Sequence, residues 1–239
     1  MKVMLWVPTA NARPESWLQV EAYMATVLPP GVELKFKRSL PGNQSETWNR
    51  VVLDFLESDC EYLWSVHDDI VYHPDTLARL LSWEKPLVSG LVFMRQNPAM
   101  PHIWVKGDNG HHKQLIEETR DWFMKRERNI LPGAQVIHPC PEDALVEVAY
   151  TSTSCTLIHR SVLERLREPM AEQWFLVRET GGGEDVRFFE YARAFGFIPY
   201  VDRSVICGHL FGIQPTGVMD FILWAKHPLF SGNNEGVIE

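Results

Sequence analysis

The chain has 239 residues, 45% of them hydrophobic, 11% aromatic and 23% charged, which excludes disordered, collagen-like and disulfide-scaffold architectures. Lys and Arg number 23 against 31 Asp and Glu, a formal net charge of −8 and a poor basis for holding nucleic acid by electrostatics alone. The length suits one globular domain of generous size, or at most two small ones.

The first predicted element is residues 3–7, a continuous apolar run of the kind found in strands buried on both faces. Pro8 cuts it off too early for a signal peptide. Pro14 opens a helix that carries Trp17, Val20, Met24 and Val27 on one face and closes at Pro29-Pro30. Val32, Leu34 and Phe36 alternate with charged residues, which predicts a half-buried strand. Residues 45–57 place Trp48, Val51, Val52 and Phe55 at helical spacing. The strand 62–66 runs straight into His67-Asp68-Asp69, Pro74 begins a short helix through Leu77, Leu80 and Leu81, and the strand 86–93 follows. This alternation of strand and helix predicts an α/β fold with a mostly parallel central sheet and helices on both faces.

The second half is less regular. Residues 97–110 read as a loop with one short strand at 103–105, and 114–128 as a solvated surface helix. The three prolines of 130–143 predict an ordered loop. Residues 145–150 and 156–159 are strand-like, 161–167 is a short helix, and Gly181-Gly182-Gly183 leads into a helix over 184–195 that Gly196 ends. Two strands, 198–201 and 204–207, and a terminal helix over 216–226 complete the chain. With no repeat, low-complexity tract or clean linker, one domain over residues 1–239 is expected. No apolar run reaches membrane-spanning length, so stable membrane insertion is not expected. Cys60, Cys140, Cys155 and Cys207 sit in no CxxC or zinc-like spacing and read as reduced thiols of a cytoplasmic protein.

Three places could carry chemistry. His67-Asp68-Asp69 ends a buried strand, where ligands of open α/β sheets bind, and adjacent carboxylates there favour a hard cation such as Mg²⁺ or Mn²⁺. The same acids would equally serve a helix N-terminus. Glu184-Asp185 after the glycines is either an ordinary pair of helix-start acids or a general base on a rigid helix end, with the glycines allowing close approach of a substrate. His209, beside Gly208 at the end of a late strand, is a structural histidine or a ligand.

Taken in order, these segments resemble the GT-A-fold glycosyltransferases, in particular the family 2 group of nucleotide-sugar-dependent enzymes. The matching stretches are residues 2–9, 49–81, 86–95, 152–160 and 183–210. They hold a strand ending in an Asp-rich segment, a Pro-opened helix and a hydrophobic–Gly–hydrophobic strand. Ser154-Cys155-Thr156-Leu157-Ile158-His159-Arg160 is similar to the family's Gly-Cys-x-Leu-Ile-x-Arg, and a Gly-Glu-Asp helix start and a strand ending in Gly-His follow. The resemblance implies a single GT-A-like, Rossmann-like domain, with residues 1–95 binding nucleotide and 96–239 holding the acceptor and catalytic elements.

It further implies metal-dependent, inverting transfer of a sugar from a nucleoside-diphosphate sugar, a UDP-sugar first, with Mn²⁺ or Mg²⁺ held by Asp69 and His209. Asp185 would be the catalytic base and Glu184 would assist acceptor binding. Pro8, Thr9, Asn49 and Asp68 would contact the nucleotide. His67 stands where the family usually has Asp, Trp48 where an Arg often precedes the Asn, and Ser154 where Gly is frequent. The acceptor is open: a glycan, a lipid-linked glycan or a modified base in nucleic acid. Two other functions compete. A metal-dependent nucleotidyltransferase would want a Gly-rich basic loop after the first strand, and residues 8–14 have one Arg and no Gly. A nucleotide- or sugar-binding protein without catalysis is the second.

Overall fold

The computed structural model describes residues 1–8, 24–38, 43–96, 98–107, 111–126, 130, 134–177, 183–211, 214–216 and 221. Most of the expected 14–30 helix, Thr9 and most of the expected 216–226 helix lie outside the described residues.

Strand β1 (Lys2–Val7) shows why a continuous apolar run forms a central strand. Alternation sends Met4 and Trp6 into the core on one side of the sheet and Val3, Leu5 and Val7 into the core on the other. It pairs in parallel with β2 (Glu33–Arg38) and with β3 (Tyr62–Val66). Between them, α1 (Gln44–Glu57) begins where the Asn43 side chain accepts the Glu46 N–H. Its far end is closed by Arg160, whose guanidinium donates to the carbonyls of Phe55, Leu56, Ser58 and Cys60 at 2.7–3.0 Å.

After β3 come β4 (Ile70–Val71), α2 (Thr76–Leu81) and β5 (Leu87–Leu91). A small sheet forms from β6 (Ile103–Lys106), β7 (His112–Gln114) and the later β10 (Tyr150–Thr151), and α3 (Ile116–Met124) follows β7. The chain then adds β8 (Gln135–Val136), β9 (Leu145–Glu147), β11 (Cys155–His159), α4 (Arg160–Arg167) and α5 (Glu184–Ala194). Last come β12 (Tyr200–Ile206), β13 (Gly208–Phe211) and β14 (Gln214–Thr216).

Among the described residues the main sheet has eight strands in the order β2-β1-β3-β11-β5-β12-β8, with β9 also on β12. The expected α/β architecture with β1, β3 and β5 in one sheet is what is found. Strand β11 lies antiparallel between β3 and β5, while β12 runs parallel to β5. On one face a stack of rings joins sheet, α1 and α5. Trp6 meets Trp48 edge-on at 4.2 Å, Trp48 stacks on Phe175 at 4.1 Å, and Phe175 stacks on Phe188 at 4.6 Å.

Four local expectations are corrected. The two strands 198–201 and 204–207 are one, β12, because the charge that splits the pattern is satisfied inside: Asp202 is fully buried and accepts from Arg79, Trp83 and Ser204. The proline-rich 130–143 segment contains β8, recruited by pairing with β12. The expected 145–150 strand divides, β9 pairing with β12 and β10 with β6. Thr216, the expected helix start, belongs to β14. Among the described residues no helix is long and apolar enough to cross a membrane.

Candidate active site

The parallel strands β3 and β5 end at one edge of the sheet, and β11, running the other way, begins there. That topology brings the segment after Val66, the segment after Leu91 and Ser152–Thr153–Ser154 to a single cleft of ≈ 370 Å³. Gln44, His67, Asp69, Arg95, Glu184, Asp185 and His209 line it with the three hydroxyl residues.

His209 is delivered by pairing. β13 lies antiparallel to β4, so His209 sits opposite Ile70, and the Leu210 N–H donates to the Asp69 carbonyl at 2.8 Å. The His209 Nε2 lies 3.3 Å from Asp69 Oδ2, and its Nδ1 lies 2.8 Å from the Phe93 carbonyl. A carbonyl oxygen can only accept, so in this contact Nδ1 carries the proton. In a neutral ring Nε2 is then a second acceptor facing a carboxylate, an arrangement that calls for a proton or a cation. Arg95 Nη1 reaches the same Asp69 Oδ2 at 3.1 Å. Burial pushes the Asp69 pKa up, but His209, His67 and Arg95 outweigh it and hold the carboxyl down at about 2.

Opposite chemistry holds at the start of α5. Burial first, and the charge of Glu184 second, lift the Asp185 pKa to about 7, against the hydrogen bond that Oδ1 accepts from the Val186 N–H at 2.8 Å. The helix dipole alone favours an ionised Asp185, and desolvation wins over it. Burial also raises Glu184. Gly183 precedes them with φ −69°, a conformation open to any residue. Its lack of a side chain makes room for Asp185 itself, since a Cβ there would lie 2.6 Å from Asp185 Oδ1. At Gly183 the close approach is thus made by the chain's own carboxylate, and Gly181 and Gly182 lie outside the described residues.

His67, in the place of an expected acid, is half-buried beside Ser154, with Nδ1 3.2 Å from the hydroxyl and its backbone N–H donating to the Ser154 carbonyl at 2.9 Å. Burial lowers its pKa to about 4, so it is neutral at pH 7.

The cleft therefore gathers Asp69, His209, Glu184 and Asp185 of the expected set. It does not gather Asn49, whose amide is engaged with the Phe175 main chain through Nδ2 to the carbonyl at 2.9 Å and Oδ1 to the N–H at 3.0 Å. Asp68 is buried, 4% exposed, and Pro8 is half-buried at the end of β1; neither lines the cleft. Thr9 lies outside the described residues. Arg95, Gln44 and the hydroxyls of 152–154 are additions. The one sequence signal for Arg95 was a lone base just past a buried strand.

Among the described residues no group of three or more His, Cys, Asp or Glu could by itself hold a metal ion. Asp69 and His209 set one carboxylate and one imidazole side by side, two donors of types that divalent cations accept.

No family model and no curated protein matches the chain. Among solved structures, the crystal structure of A197 from STIV aligns with a TM-score of 0.53 at 15% identity, covering 90% of this chain and 88% of that one. That likeness is one of fold. The crystal structure of S. aureus TarS aligns at 0.48 with 13% identity, over 85% of this chain and 35% of that chain. S. aureus TarS 1-349 aligns at 0.44 with 13% identity, over 85% of this chain and 58% of that chain. The chain thus spans less than two thirds of either TarS structure.

Proposed function

We propose that the protein transfers a sugar from a nucleoside-diphosphate sugar, a UDP-sugar first among donors, to a hydroxyl acceptor with inversion. One observation carries this reading: two carboxylates with opposite duties share one cleft. Asp69 is ionised far below neutrality beside a histidine and an arginine, while Asp185 titrates near pH 7. Carboxylates pushed apart in this way mark an anion-handling pole and a proton-handling pole.

At the first pole Asp69 and His209 would hold Mn²⁺ or Mg²⁺. Bound there, the ion supplies Lewis-acid neutralisation of the diphosphate leaving group. Arg95, partly exposed on the same carboxylate oxygen, is placed to turn its guanidinium to a phosphate. Such help matters in a chain of net charge −8, which repels a nucleotide overall. At the second pole Asp185 takes the proton of the acceptor hydroxyl as its oxygen attacks the anomeric carbon. A pKa near the operating pH suits a base. Glu184 orients the acceptor, and neutral His67, tied to Ser154, adds a polar wall without charge. Pro8 and Thr9 remain the proposed nucleotide contacts; Asp68, being buried, would act from behind the site, and Asn49 would act by holding the Phe175 main chain.

The test is release of free nucleoside diphosphate. The protein is incubated with Mn²⁺ and, one at a time, UDP-, GDP- and dTDP-sugars. Release with a subset of donors is expected. Absence of release together with absence of thermal stabilisation by every donor would overturn the proposal.

A further inference from the structure

The small sheet carries an aromatic surface that the transfer chemistry leaves unused. Strand β10 runs from Tyr150 and Thr151 directly into Ser152, which lines the cleft. Side chains alternate along a strand, so Tyr150 and Thr151 face opposite sides. The Thr151 hydroxyl donates to the His102 carbonyl. Across the antiparallel ladder from Tyr150 stands Trp104, with the two ring planes 16° apart and their centroids at 5.5 Å. His112 of β7 meets Tyr150 edge-on at 4.8 Å. Strand β6 gives its other side to the core, where Ile103 is fully buried. Trp104 and Tyr150 are only half-buried, and His112 is exposed. Ring area is thus left half-open on the small sheet that leads into the cleft at Ser152, and β10 packs against α5, the helix that presents Asp185.

We infer that Trp104, Tyr150 and His112 form an acceptor subsite that holds a neutral sugar ring beside Asp185. This rests on the reading of Asp185 as the transfer base. The electron-rich faces of stacked rings receive the axial C–H groups of a pyranose, and an edge-on imidazole offers a hydrogen-bonding group to its hydroxyls. The charge of Asp185 reaches Tyr150 and, after burial, raises its pKa, which keeps the phenol a neutral donor. A base presented by DNA or RNA would also stack, but it brings phosphates toward Glu184 and Asp185 and toward a chain of net charge −8. Of the small sheet's cations, Lys113 is paired with Glu118 at 2.8 Å, and Lys106 stands opposite His112. A neutral glycan meets no such repulsion.

Saturation-transfer NMR tests this with the full chain and three methyl hexopyranosides (gluco, galacto and manno), with 5-hydroxymethyl-2′-deoxycytidine as the nucleic-acid probe. Transfer to sugar ring protons is expected for at least one glycoside, reduced about fivefold in Trp104→Ala and retained in Trp104→Phe. Should Trp104→Ala fail to fold by circular dichroism, His112→Ala, at an exposed position, must weaken the same signal. Transfer to the nucleoside and to none of the sugars overturns the inference, as does wild-type transfer unchanged in Trp104→Ala or, where that variant does not fold, in His112→Ala. No transfer to any probe overturns it too. Mn²⁺-dependent binding of UDP is measured on the same samples by calorimetry. Its loss in the wild type with sugar contact intact would sink the transfer reading alone, and its retention in Trp104→Ala locates the defect on the acceptor side.

Discussion

Asp185 occupies the space that a side chain on Gly183 would fill: a Cβ on Gly183 would stand 2.6 Å from Asp185 Oδ1. The backbone of Gly183 is ordinary, so Gly183→Ala displaces the carboxylate rather than straining the chain. A reacting group misplaced by about 1 Å can cost about 100-fold in rate. Gly183→Ala should therefore slow transfer by about that factor and leave UDP affinity unchanged. Gly196 is the contrast, with φ +90° and nothing within 4 Å of the position a Cβ would take. Gly196→Ala should leave the turnover number alone and cost about 1–2 kcal/mol of stability, read as a lower Tm.

Asp69 and His209 should make nucleotide binding depend on a divalent cation. Asp69→Ala is expected to abolish Mn²⁺-dependent UDP binding in calorimetry with the fold intact. Equal affinity in that variant, with and without EDTA, counts against the assignment. Arg95 would compete with a cation for Asp69 Oδ2, and it is 43% exposed, so the pair is worth at most about 1 kcal/mol. Arg95→Ala should thus tighten binding of Mn²⁺ alone by up to about fivefold while weakening UDP binding in its presence.

Arg160 predicts a different kind of loss. Its guanidinium donates to the carbonyls of Phe55 and Leu56 in the last turn of α1 and of Ser58 and Cys60 just beyond it. Arg160→Ala should cost roughly 3 kcal/mol, a fall of about 6–12 °C in Tm for a chain of this size. UDP affinity below the transition should be unchanged. A loss of affinity at 10 °C with little change in Tm would place Arg160 in the site instead.

The sequence was most readable where one pattern meant one environment. The runs in β1, β3 and β5 are apolar on consecutive residues because both faces of the sheet are covered, and the spacing of Trp48, Val51, Val52 and Phe55 follows the buried side of α1. It misled where a distant partner decided the outcome. Asp202 looked like a break in a strand because Arg79 and Trp83, more than a hundred residues away, supply the bonds that let it stay buried. Asn49 was assigned to the nucleotide by resemblance, yet nothing local could tell a nucleotide from the main chain of Phe175. At the cleft, Asp69, Asp185 and His209 announce themselves at strand ends and a helix start. Gln44, Arg95 and Ser152 reach it only through topology, above all the antiparallel insertion of β11.

Asp185 yields the sharpest expectation, because its pKa of about 7 acts on rate and on stability in different ways. As a base it works only when ionised, so transfer should rise with pH through about 7 and level off above it. Asp185→Asn should lower the rate by ~10²–10⁴ and abolish that limb, with donor affinity unchanged. For stability the direction reverses. The folded pKa stands above the ordinary 3.8, so between those values the folded state binds the extra proton. The stabilisation is complete below about pH 4 and is lost as pH rises through about 7. Wild type should therefore lose Tm relative to Asp185→Asn across that window, and at pH 8 the inactive variant should be the more stable of the two. Full activity in Asp185→Asn would move the base to Glu184, which burial also raises. A product that retains the donor's anomeric configuration would reject an inverting attack whichever carboxylate is altered.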